Sequence, residues 1–356
     1  MRFSTLNSTT AVAALLLLAP RAEAQEGASP ILLAPFGVTF SPGARRVLDV
    51  AADRPDLLAP PGVTGAHFPQ AGEWRFSYRT MRTQREGLVD GSADLTPQGV
   101  LATGFTSVPT KHVREEHLFR LDYGIDERWG LSLALPWISN DMDFLAANGE
   151  SFSSRTIGLG DLRATGMCSI LTREDQRLHV NLGFSLPSGS HDETDTNSLG
   201  ETVKLPYALQ PGSGTVDVSP GISYSRLYEG TSWGAQLQTL LRVGDNSDGY
   251  TLGDTAMFTS WVARRFREDL SGSLRVAYNH WQSIDGQDDS LDPAQNPAND
   301  PGAYGGDRVD ILVGVNYTRP GGHVFSAELG TPLFQDLNGP QLETDVIYSI
   351  SWQISF

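Results

Sequence analysis

The stretch Thr344–Phe356, TDVIYSISWQISF, decides how the rest of the chain is read. Val346, Tyr348, Ile350, Trp352, Ile354 and Phe356 share one parity, Asp345, Ser349, Ser351, Gln353 and Ser355 the other, and Ile347 is the exception. A period of two means a strand with one apolar and one polar face. The apolar parity persists to an aromatic residue at the end of the stretch, and roughly ten tilted residues with aromatic rings at the interfaces suffice to cross a bilayer. This predicts the closing strand of a membrane-spanning barrel, with a soluble edge strand as the alternative.

The other end of the sequence points to the same compartment. Arg2 precedes an apolar run from Ala11 to Ala19, and Ala22-Glu23-Ala24 offers small residues around a cleavage site, so residues 1–24 read as a secretory signal peptide. No later run approaches the roughly 18 apolar residues of a spanning helix. The 42 acidic and 26 basic residues give a net charge of −16, which argues against a nucleic-acid partner. Cys168 is the sole cysteine, so an exported chain would hold its fold without an internal disulfide.

Between these ends the same alternation recurs. Residues 25–71 are rich in Pro and Gly and read as a periplasmic linker or partial plug, with His67 a solvated loop histidine. From residue 72 onward about twelve alternating segments follow, the first with Trp74, Phe76 and Tyr78 opposite Arg75, Ser77 and Arg79. The fold class expected is therefore all-β, a transmembrane antiparallel up-and-down barrel over residues 72–356. The segment around Ala256–Phe266 is ambiguous in register, because Phe258 and Val262 compete with Met257 and Trp261 for the apolar face. Connections alternate in length. Tight turns such as Asp126-Glu127-Arg128 alternate with longer loops at Thr83–His112, Ile138–Arg155, Pro187–Gly214, Gly244–Asp254, Ile284–Asp307 and Pro332–Glu343. Short connections on one side and long ones on the other place the termini in the periplasm and the long loops outside the cell.

The polar parity supplies the candidate lumen: Arg75, Arg79, Arg120, Arg163, Arg242 and Arg275 with Asp122, Asp161, Asp310, Glu328 and His179. Such an interior can be packed shut by ion pairs or can line a narrow path whose charge rings set selectivity. His112 and His117, beside Glu115 and Glu116, could in principle bind a metal or act as acid and base, and a solvated strand end is the simpler reading. Asp285, Asp288, Asp289 and Asp292 are spaced faintly like a calcium loop, but Gly286 comes too early and no terminal Glu follows. No catalytic residue, metal site or cofactor is predicted.

Three motifs at strand ends carry a family resemblance: Gly158-Leu159-Gly160-Asp161, Leu186-Pro187-Ser188-Gly189, and Gly212-Ser213-Gly214 with Asp217. In order and spacing, over Trp74–Phe356, the chain resembles the meta-pathway of phenol degradation family of outer-membrane proteins. The resemblance implies a transporter-like barrel passing small, often aromatic, compounds. A final strand ending in Phe also resembles the terminal strand that the barrel-assembly machinery recognises. The expected partners are outer-membrane lipids, that machinery and a small-molecule solute, in the outer membrane of a Gram-negative bacterium after signal-peptide cleavage. A barrel enzyme acting at the outer rim, or a closed structural barrel of the envelope, are the competing functions.

Overall fold

The computed structural model describes residues 54–196 and 202–356. The expected signal peptide and the first part of the 25–71 segment lie outside the described residues. Alternation is realised as strands β1 (Trp74–Gly91), β2 (Ser107–Gly124), β3 (Trp129–Ala146), β4 (Ser151–Leu159), β5 (Leu162–Thr172) and β6 (Gln176–Leu186). Strands β7 (Val216–Tyr228), β8 (Thr231–Val243), β9 (Thr255–Arg267), β10 (Leu270–Trp281), β11 (Gly306–Arg319) and β12 (His323–Ser355) follow. Each pairs antiparallel with its neighbours around the ring, β4 with β3 alone, and β12 returns to β1, from Arg75↔Ser355 to Gly91↔Leu337. Trp74 and Phe356 exchange backbone hydrogen bonds of 2.9 and 2.8 Å at the seam. The sheet closes into a barrel, which is what backbone groups facing water-free hydrocarbon require.

Eleven elements form the ring, and β4 continues the line of β5 along the upper part of β3. An odd antiparallel ring cannot close unless one element reverses. The element that reverses is β12: residues from His323 to Leu337 lie against β11, and residues from Leu337 to Ser355 lie against β1. The 33-residue element therefore supplies two passes of the wall, so the wall has the twelve passes that the alternation implies.

The outward parity is apolar and exposed, as at Leu182 (48 %), Leu237 (45 %) and Leu329 (46 %), whereas inward Ser223, Gln236, Thr259, Ser271 and Asn316 are each 2 % exposed or less. This inversion of a soluble protein's pattern is what a barrel in lipid requires. In β9 the competition resolves with Phe258 and Val262 outward and Trp261 inward. Trp74, Trp129, Tyr228 and Phe266 form an exposed aromatic girdle at the end that carries the tight turns.

Three of the expected loops are not loops. β1 runs on to Gly91 and β2 begins at Ser107, β3 and β4 continue through most of Ile138–Arg155, and Pro332–Glu343 belongs to β12. The reason is length: β1, β2 and β3 are 18 residues each. At ~3.3 Å per residue such strands span about 60 Å, more than twice the roughly 25 Å of the apolar band. Beyond that band both faces can be polar, so a strand there loses the alternation that reveals it.

Candidate functional site

The lumen is occupied at the tight-turn end by the chain itself. Arg54–Gly72 runs inside the wall and is held mainly through its backbone carbonyls. Ser271 Oγ and Asn316 Nδ2 donate to Pro55 O, Asn316 also to Leu58 O, Ser232 Oγ to Asp56 O, and Gln236 Nε2 to Thr64 O. His179 Nε2 lies 2.9 Å from Gly65 O, with its ring against Phe68. His67 is packed rather than solvated, 3.6 Å from Glu73. A side chain at Gly124 would strike Gln70 O, so the segment's re-entry into β1 requires glycine at that strand end.

The opposite end is covered by three loops. Leu209 O accepts from Asn140 Nδ2 and Thr156 Oγ1 on the inner wall. Tyr207, Tyr250, Ile284 and Leu291 form one buried apolar cluster over the lumen. Lys204 bridges Asp248 and Asp288 and so ties the loops of residues 187–215, 244–254 and 282–305 together. Burial opposes the Lys204 ammonium, but its hydrogen bonds to the two carboxylates outweigh that and raise its pKa. Asp288 shows the converse: burial works against its charge, and Lys204 and Ser290 outweigh it and lower its pKa. Of the four aspartates spaced faintly like a calcium loop, Asp288 is thus spent on Lys204, and no cluster of metal-ligating side chains occurs among the described residues.

The motif residues converge on one carboxylate. Asp161 lies where β5 breaks from β4 and is buried rather than set in a strand. Its Oδ1 accepts from Gly189 N at 3.0 Å, and its Oδ2 accepts from Ser213 N and Ser213 Oγ at 2.9 and 2.8 Å. Leu162 N donates to Ser188 Oγ, and Gly189 and Gly212 cross so closely that a Cβ on either would strike the other's backbone. The knot pins both ends of the 187–215 loop to the wall. Asp161 is therefore a structural anion held by two amides and a hydroxyl, and it also lines the smaller of the two cavities inside the wall.

Between the two closures lie contiguous cavities of about 670 and 340 Å³ with shared lining. Most of the predicted charges are here, and most are paired: Arg242 with Asp217, Arg275 with Glu328 through bonds of 2.8 and 2.8 Å, and Asp310 with Arg308. Arg79 meets Glu116 at 3.0 Å. Arg120 meets Asp122 at 2.7 Å beside the terminal segment, where Arg75 also sits, bound to Glu73. Arg163 lines both cavities and has no carboxylate partner among the described residues. The His112/His117 group is split by strand parity. His112 and Glu116 face inward, while His117 bonds Tyr78 and Glu115 bonds Arg82 on the other face. Arg85 and Arg114 also reach the smaller cavity. Arg85 fell in an expected loop, and Arg114 lies on the part of β2 where the alternation fades. Ile347, the exception to the terminal alternation, packs inward with Met81, Ala277 and Leu312 as an apolar patch on the wall.

No family model matches the chain, and no curated protein matches it. Among solved structures, an outer-membrane channel from Pseudomonas putida F1 is similar, with a TM-score of 0.57 and 12% identity, covering 83% of this chain and 99% of that one. The KdgM porin (TM-score 0.40, 10% identity, 79% of this chain and 99% of that one) has too low a score to carry an argument. The same holds for the autotransporter NalP translocator domain from Neisseria meningitidis (0.42, 7%, 88% and 94%). At this identity the likeness to the Pseudomonas putida channel shows the fold alone, and that fold is a closed antiparallel β-barrel.

Proposed function

We propose that the chain is an outer-membrane channel through which small molecules pass by diffusion, without covalent chemistry. The observation that carries this reading is the pair of contiguous cavities inside the wall, lined by charged and polar groups and bounded by closures that are all non-covalent. The fold shared with an outer-membrane channel supports it, and so does the apolar outer band. In this reading residues 1–24 direct export, the 54–72 segment plugs the periplasmic end, and the long loops face outward. The motifs gathered at Asp161 are those that resemble the meta-pathway of phenol degradation family, so small hydrophobic or aromatic compounds are the solutes to try first. His179, the histidine best placed for a barrel enzyme, is committed to Gly65 O, which weighs against catalysis.

The test is planar-bilayer conductance together with liposome uptake of small aromatic and ionic solutes. Neither current nor uptake from the intact chain would sink the channel and leave the closed structural barrel. Orientation is read with a tag near Gln295, expected to be reachable from outside the cell, against one near Asp175, expected to be shielded.

A further inference from the structure

We infer that the smaller, loop-side cavity is a binding site for one organic carboxylate with an aromatic or otherwise apolar body. The inference rests on the reading of the lumen as a solute path and adds the class of solute. Its basis is an imbalance of charge in the wall of that cavity. Arg79, Arg120, Arg242, Arg275 and Arg308 each hold a carboxylate. Arg85, Arg114 and Arg163 hold none among the described residues: Arg85 Nη1 is 3.0 Å from His112 Nδ1, Arg114 Nη1 donates to Asn140 Oδ1 at 3.1 Å, and Arg163 makes no polar contact among them. These cations line the same 340 Å³ cavity. Glu116, already bonded to Arg79, is the nearest acid to Arg114 and Arg163, and Asp161, which also lines the cavity, is taken up by Gly189 and Ser213.

A guanidinium presents a planar fork of donors that matches a carboxylate in two parallel hydrogen bonds. The surplus therefore asks for an anion. The rest of the wall says what the anion carries: Trp281, Tyr304, Met142 and Ile138 line the same space, so a fully hydrated inorganic anion would leave an apolar surface uncovered. A neutral aromatic would cover that surface and leave three guanidiniums with no carboxylate in contact. A single molecule with both parts satisfies both walls.

The experiment uses the full chain in detergent and reads equilibrium binding of benzoate by calorimetry, beside benzyl alcohol, acetate and inorganic phosphate. Benzoate is expected to bind at least tenfold more tightly than each of the other three. The double variant Arg85→Met/Arg114→Met should weaken benzoate at least tenfold while keeping the boiling-dependent shift in gel mobility that marks a folded barrel. Trp281→Ala should weaken benzoate and leave acetate unchanged. Equal binding of benzyl alcohol and benzoate, equal binding of phosphate and benzoate, or benzoate binding unmoved in the folded double variant would each overturn the proposal. Because binding is read without a membrane, the two readings fail separately. Binding without conductance or uptake would refute the channel, and solute passage without selective binding would refute the site.

Discussion

Replacing Asp161 by Asn removes one charge and one acceptor from the knot that pins the 187–215 loop, with almost no change of shape. The carboxylate takes three hydrogen bonds, from Gly189 N, Ser213 N and Ser213 Oγ, in a buried setting. Bonds to a charged acceptor are worth ~1.5–3 kcal/mol each, and a buried N–H left without a partner costs ~1–3 kcal/mol. The amide keeps at most the bonds to one oxygen, weakened by loss of charge, and turns an NH2 toward the remaining donors. The docking of the loop ends should therefore weaken by about 3 kcal/mol, a factor of roughly 150. Hydrogen exchange at the Gly189 and Ser213 amides reads this directly, since both donate to the carboxylate itself. Protection there should fall by about that factor, while amides in β10 and β11, far around the wall, should keep theirs. Protection at Gly189 and Ser213 within about twofold of the parent would refute the knot as the anchor.

The Lys204 bridge predicts a pH window for the loop cover. Asp288 has a lowered pKa, so its contribution is present above the ordinary carboxylate value and is lost as pH falls through the lowered one. Lys204 has a raised pKa, so its contribution is present below the ordinary lysine value and is lost as pH rises through the raised one. Protease nicking of residues 202–209 should thus be slow from about pH 4 to pH 10 and rise outside that window; a flat profile would remove the bridge as the tie. Arg275→Met or Glu328→Gln alone should destabilise the barrel by about 3–5 kcal/mol in urea, and Arg275→Met/Glu328→Leu by clearly less, because a buried ion pair is costly chiefly when one partner is removed. Additive losses in the double variant would contradict this. Asn316→Leu removes two donations to the terminal segment and should weaken its seating by about 1–2 kcal/mol, seen as faster cleavage within residues 54–72 and no change in the mobility shift.

Much of the wall was legible because a barrel in lipid imposes a period of two wherever membrane touches it. Phe119, Leu121, Leu182 and Leu237 announced their strands and their outward face together. Beyond the apolar band that constraint lapses: polar residues suit both faces of β1 to β4, and Arg85 was lost in what read as a loop. Parity alone also separates His112 from His117, although neighbouring positions made them look like one group. Asp161 was placed in the candidate lumen by its polar parity and does line a cavity there, but its partners are two backbone amides and a hydroxyl from two distant motifs, and no pattern within one segment can show a pairing between strands. The segment around Ala256–Phe266 was ambiguous because β9 carries a large apolar residue on each face, and inward Trp261 lies over Gly234 of β8, a neighbour that the local sequence does not reveal.

The plug and the loop cover lie one after the other along a single tube, so their ionic resistances add. Current through the whole is governed by whichever is larger, and relieving the smaller changes little. An Asn316 variant that loosens one closure, or an acidic solution that loosens the other, can leave conductance near its original value even when the local opening is complete. The two perturbations applied together should then give far more than the sum of their separate effects, and the solute held between them would exchange at a rate set by the slower of the two.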